Sequence, residues 1–237
     1  MNLKFSFAIL MLALLPAFAV ATTCTGGLTS VSTPAGATVL GEAVDASASF
    51  CATAGQVVIT LTNLQTGIVD AGQLLTDLQF SMNTADTSAT LSSSSANFIL
   101  IGSGGAVTPD GSGATGWGFG SGTLGTGNYL LCIICGDGVT ATAQPTEGII
   151  GPGPYTSANG SIANNPAHNP FIDQTGTFTI SDSHITSNTN FSGVVFSFTT
   201  TFGNNIIPEP RTYAPLILAF GLIVLAVHRR RARSARA

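Results

Sequence analysis

"QVVITLTNL" spans residues 56–64 and "LLTDLQFSM" spans residues 74–82. In the first, Val57, Ile59 and Leu61 fall on one side of an extended chain, and Val58, Thr60 and Thr62 on the other. In the second, Leu74, Leu78, Phe80 and Met82 share a side against Leu75, Asp77, Gln79 and Ser81. A period of two in β-branched and aromatic residues predicts half-buried strands. "ANFILIG" (96–102), "NYLLCIIC" (128–135), "GTFTIS" (176–181) and "GVVFSFTT" (193–200) read the same way, and in the last Val194, Phe196 and Phe198 align. No segment between residues 22 and 206 carries a helical stripe. Short strands parted by Gly, Pro and Asn turns predict an all-β fold, a β-sandwich-like domain. Residues 144–175 read as a loop-rich insertion, the place where function sits most easily.

Charge is distributed unevenly. The whole chain is −4, yet residues 22–206 hold ten acids and no Lys or Arg. A body near −10 excludes counterion-release binding to nucleic acid, which needs a basic surface. It also excludes lysine chemistry and Lys or Arg salt bridges, and it repels anionic polymers at low salt.

Both ends read as addresses. Lys4, then "FSFAILMLALLPAFAV", then small residues at Ala19 and Ala21 form a signal-peptide pattern over residues 1–21, cleaved before Thr22 by signal peptidase. Cys24 raises a lipoprotein alternative, which Thr23 before it disfavours. At the other end, Tyr213 to Val227 carry no charge. A helix of that length covers about 22 Å, short of a hydrocarbon core of roughly 30 Å. Interfacial Tyr213 and snorkelling arginines extend it, so the expected membrane helix covers about residues 212–228. Arg229, Arg230, Arg231, Arg233 and Arg236 follow, and with Arg211 they are all the arginines of the chain. The positive-inside rule puts residues 229–237 in the cytoplasm and the body outside.

Pro208-Glu209-Pro210, the apolar run and the terminal arginines, in that order, resemble the PEP-CTERM sorting signal of Gram-negative bacteria over about residues 207–233. The resemblance implies recognition by exosortase in the inner membrane and cutting near Pro208-Glu209-Pro210. It also implies an association with exopolysaccharide. Independently of the family, the two prolines remove backbone donors and keep the segment extended, as an enzyme cleft requires. The bland reading of the same residues is a stiff juxtamembrane linker.

Cys24, Cys51, Cys132 and Cys135 make an even count, which in an exported protein points to disulfides. Cys24–Cys51 with Cys132–Cys135 is the more local of the connectivities. Cys132-Ile-Ile-Cys135 also has redox spacing, but that motif works at a helix N-terminus, and here a strand runs into a turn. Metal ligation is the remaining alternative.

His168, Asn169 and Asp173, with His184 further on, could hold a metal or belong to a hydrolase site. No G-x-S-x-G or H-E-x-x-H accompanies them, so a turn whose side chains satisfy loop backbone is the expectation. Asp110 and Asp137 lie beside glycines without the ligand spacing of a calcium loop, and turns are expected there as well. Trp117, Phe119 and Tyr155 could stack on sugars from an exposed face, although core packing is the stronger reading. Asn159-Gly-Ser161 and Asn190-Phe-Ser192 match the glycosylation sequon. The expectation is thus an exported, non-enzymatic surface or matrix protein with no cofactor. A secreted hydrolase or a carbohydrate-binding module is the alternative.

Overall fold

Alternation dominates the architecture. The computed structural model describes residues 24, 26–84, 88–122 and 125–208, with side chains left aside at 121–127. The expected signal peptide with Ala19 and Ala21, Glu209, Pro210, Tyr213, the helix at about 212–228 and the arginine tail lie outside the described residues.

Fourteen strands follow in chain order: β1 (Gly27–Ser32), β2 (Thr38–Val39), β3 (Glu42–Ala43), β4 (Ala46–Thr53), β5 (Gln56–Asn63), β6 (Leu75–Met82), β7 (Thr90–Ile101), β8 (Val107–Gly113), β9 (Gly118–Gly122), β10 (Gly125–Cys132), β11 (Ile149–Ile150), β12 (Phe171–Ser181), β13 (Phe191–Phe198) and β14 (Asn205–Ile206). Among the described residues there is no α-helix, only short 3-10 turns at Ala71–Gln73 and Ser103–Gly105. The described part of the chain is mostly β, as its composition predicts. β4 and β5 close into a hairpin through Ala54 and Gly55, where Gly55 takes φ 82°, a left-handed conformation open to a residue without Cβ.

Among the described residues twelve strands belong to one mixed sheet, and β2 and β3 form a separate pair. Its ladders divide into two antiparallel runs, β1-β4-β5-β12-β7-β8 and β14-β13-β6-β10-β9. Short β11 links them: Ile149 pairs parallel with Ile172 of β12 and antiparallel with Leu75 of β6. Aromatic rings fill the space between the runs. Phe50 of β4 meets Phe80 of β6 edge-on at 5.3 Å and stacks on Phe191 of β13 at 4.6 Å. Trp117 packs on Phe178 of β12 at 5.0 Å. A second apolar cluster, with Ile68, Leu74, Ile99, Tyr155, Ile162 and Phe171 among its members, lies under residues 151–170.

Val57, Ile59 and Leu61 are buried on β5, as are Leu78, Phe80 and Met82 on β6 and Val194, Phe196 and Phe198 on β13. Three expectations need correction. Leu74 does not share the face of Leu78: it ends the 3-10 turn before β6 and packs in the second cluster, while Leu75, expected on the opposite side, packs in the main core with Leu78. Residues 171–175 belong to β12, not to the insertion, because Phe171 and Ile172 pair with Ile99 and Phe98 of β7. The turn expected around Asp110 is edge strand β8, every residue of which is exposed. Backbone pairing to β7 alone makes it a strand, and an edge is where a ladder tolerates Pro109.

Candidate functional site

The root of the expected sorting segment lies on the surface of the domain. β14 pairs only with β13, through Ile206 opposite Phe196 and Asn205 opposite Ser197. Ile207, 72% exposed, then leads to Pro208. Both residues line an open groove of about 620 Å³ whose walls include Val31 and Pro34 on one side and Phe191 and Val194 on the other. The chain therefore leaves the body beside an apolar recess between β1 and the start of β13.

The loop at 151–170 is held by its own polar side chains. His168 Nδ1 lies 2.6 Å from the carbonyl of Ser161. Asn169 Oδ1 accepts from the Ile101 amide at 2.8 Å, and its Nδ2 donates to the Asn165 carbonyl at 2.9 Å. Tyr155, in the same loop, donates its hydroxyl to the Gly151 carbonyl at 2.7 Å. Burial, reinforced by the Asp173 charge, pushes its pKa up to about 12. Asp173 itself lies on β12 and accepts from Gln174 Nε2. His184 belongs to another loop, where its Nδ1 lies 3.0 Å from Asp182 Oδ1. His168 and Asn169 thus act on loop backbone, and His184 engages a different acid from Asp173.

The aromatic residues weighed as a sugar platform face inward. Trp117 is buried and donates Nε1–H to the Glu147 carbonyl at 2.9 Å. Phe119 is half-buried and stacks on Tyr129 at 5.5 Å. Tyr155 is buried in the second cluster. Asp137 has φ 52° in the turn after Cys135, and Asp110 is exposed on β8. Asn159 turns its Oδ1 to the amide and hydroxyl of Ser161. Among the described residues no group of three or more His, Cys, Asp or Glu could hold a metal ion.

Cys24 is bonded to Cys51, and Cys132 to Cys135. The first ties the chain ahead of β1 to β4; the second closes the turn leaving β10. Beside that turn lies a residue that alternation alone places outside. Asp77 on β6 is opposite Cys132 of β10 and opposite Ser197 of β13. Yet Asp77 is 0% exposed, and neither carboxyl oxygen has a hydrogen-bond partner. The Ser197 hydroxyl is itself 2.5 Å from Asn205 Oδ1. Burial pushes the Asp77 pKa up to about 7, and the nearby Ser197 hydroxyl only tempers the rise. The cover comes from the chain beyond Cys135 and beyond β13. A Cβ on Gly120 of β9 would meet Val139, so the segment after Cys135 lies on the sheet; one on Gly136 would meet the ring of Phe202 at 2.5 Å, so the segment after β13 packs against that segment. A sign was present in the sequence: Asp77 sits amid Leu74, Leu75 and Leu78.

No family model, curated protein or solved structure matches this chain.

Proposed function

We propose that this is an exported, non-enzymatic surface or matrix protein: a β-sandwich-like ectodomain carried by a PEP-CTERM-like tail. The observation that carries the reading is the tripartite tail itself, which starts where the acidic body ends. The exit at Ile207, which is 72% exposed and followed by half-buried Pro208, supports it, since an enzyme cleft needs an extended, accessible segment at that point. In this reading signal peptidase removes residues 1–21. The apolar helix pauses in the inner membrane with Arg229, Arg230, Arg231, Arg233 and Arg236 inside. Exosortase cuts near Pro208-Glu209-Pro210, and the body passes to the cell surface or the exopolysaccharide matrix. The two disulfides agree with an oxidising compartment outside the cytoplasm.

The test is replacement of Pro208, Glu209 and Pro210 by alanine in the exporting cell, with fractionation and mass spectrometry of both chain ends. The expected result is a full-length precursor held in the inner membrane while the parent is processed. Equal release of the variant would reduce the segment to a linker and end the sorting reading.

A further inference from the structure

We propose that Cys132–Cys135 is an exchangeable disulfide, opened at Cys135, in which Asp77 carries the proton for the buried sulfur of Cys132. This goes beyond a structural or matrix role and does not depend on the tail.

The two sulfurs are unequal. Cys135 is half-buried in the turn, whereas Cys132 is 0% exposed at the end of β10. An incoming thiolate must therefore attack Cys135, and Cys132 is the leaving group. The electron pair of the broken S–S bond then falls on a buried sulfur, and a buried thiol is a weaker acid than the Asp77 carboxyl at about 7, so the proton moves to sulfur. No cation is there to hold it. The elements around the site are β9, β10, β13, β14 and the segments 133–143 and 199–204. They contain no Lys, Arg or His, and their only acid is exposed Asp137. The proton must come from a neighbour. Directly opposed residues of an antiparallel pair hold their Cβ atoms about 5 Å apart on one face. Asp77 is the residue opposite Cys132, and its carboxyl oxygens accept no hydrogen bond of good geometry, the adjacent Ser197 hydroxyl donating to Asn205 Oδ1 instead.

The chemistry balances. A thiolate forms a bond to Cys135 Sγ, the Cys132–Cys135 bond breaks, and Cys132 Sγ takes the proton of the neutral Asp77 carboxyl. The products are a mixed disulfide on Cys135, a Cys132 thiol and an Asp77 carboxylate. When the attacker is a dithiol, its second thiolate attacks its own sulfur in the mixed disulfide. Cys135 then leaves as a thiolate to solvent, the dithiol is oxidised to a disulfide, and the cysteine pair is reduced. In the reverse direction the carboxylate withdraws the Cys132 proton as the disulfide re-forms. A protein or small-molecule dithiol is the chemical class of the partner.

The full chain in detergent is treated with dithiothreitol from pH 5.5 to 8.5, quenched and alkylated. Peptide mass spectrometry then follows each cysteine pair. Rates are divided by the concentration of dithiothreitol thiolate. The normalised opening of Cys132–Cys135 is expected to fall about tenfold or more across this range, with its midpoint near the Asp77 value of about 7. Cys24–Cys51, the internal reference, should stay flat. In Asp77→Asn the Cys132–Cys135 profile should also be flat and about tenfold slower at pH 5.5. Loosening of the fold by ionised Asp77 would speed opening as pH rises, which is the opposite sign. A flat profile in the native chain overturns the proposal without recourse to any variant. A falling profile that persists in Asp77→Asn overturns it as well.

Discussion

β5 and β6 are both central strands with an apolar inner face, yet their outer faces differ. On β5, Val57, Ile59 and Leu61 are buried while Val58, Thr60 and Thr62 stay half-buried in strict alternation. On β6, Leu78, Phe80 and Met82 point into the same core, but Asp77 on the other side is buried too. The difference arises in the chain beyond the neighbouring strands. β5 is flanked by β4 and β12, and its outward residues Val58, Thr60 and Thr62 all keep partial exposure. β6 is flanked by β10 and β13; after β10 the chain folds back onto the sheet, and after β13 it packs against that returning segment, as the close approaches of Val139 to Gly120 and Phe202 to Gly136 record. Alternation identifies the inner face of a sheet; it does not tell whether the outer face is wet.

The same distinction separates what could be read in the sequence from what could not. Ile59, Phe80, Phe178 and Phe196 are core because their period of two repeats over several residues. Leu74 broke the pattern because a 3-10 turn, capped by Asp70, re-aims the chain just before β6. β8 was illegible because "VTPDGSG" buries nothing, so its strand character comes from the β7 partner rather than from its own side chains. In the loop, His168 and Asn169 were visible as polar turn residues, but only tertiary contacts assign them to Ser161 and Ile101. Asp77 was visible as an acid among leucines, but its cover is supplied by residues more than fifty positions away in sequence.

The largest expected effects lie where the two strands agree. Phe80→Ala and Ile59→Ala each remove a buried inner-face side chain. Losses of about 3–5 kcal/mol for the former and about 2–5 kcal/mol for the latter are expected. Denaturation followed through the fluorescence of Trp117, the chain's one Trp, measures both. A loss below about 1 kcal/mol for Phe80→Ala would mean that the two strand runs do not share a core.

The next effect separates the strands. Burial raises the Asp77 pKa from 3.8 to about 7, so the neutral form is the one the fold prefers. Between those values the native chain holds a proton that the unfolded chain has released, and stability falls as pH rises. The contribution is complete below pH 3.8 and lost through about pH 7, and it amounts to about 4 kcal/mol. Asp77→Asn removes this dependence. Subtracting its stability from that of the native chain, pH by pH, isolates Asp77 from the other acids. The variant should gain on the native chain steadily from pH 4 to pH 7 and hold its gain above. A constant difference across that range would show that the outer face of β6 is hydrated after all.

The smallest effect tests the open side of β5. Thr62 faces outward and is half-buried, and its hydroxyl lies 3.1 Å from that of Thr175, its register partner on β12. Both residues are only half-buried, so losing their mutual hydrogen bond is expected to exchange it for one to solvent rather than leave a dry, unpaired group. A cross-strand threonine pair of this kind contributes about 0.2–1 kcal/mol. Valine keeps the shape and β propensity of threonine while removing the hydroxyl, so a cycle of Thr62→Val, Thr175→Val and the double variant isolates the pair. A coupling of about 0.5 kcal/mol is expected, insensitive to pH between 4 and 8 because no titratable group takes part. A coupling of about 2 kcal/mol or more would place this pair in a desolvated setting like that of Asp77. The outer face of β5 would then be covered, and the contrast between the two strands would be lost.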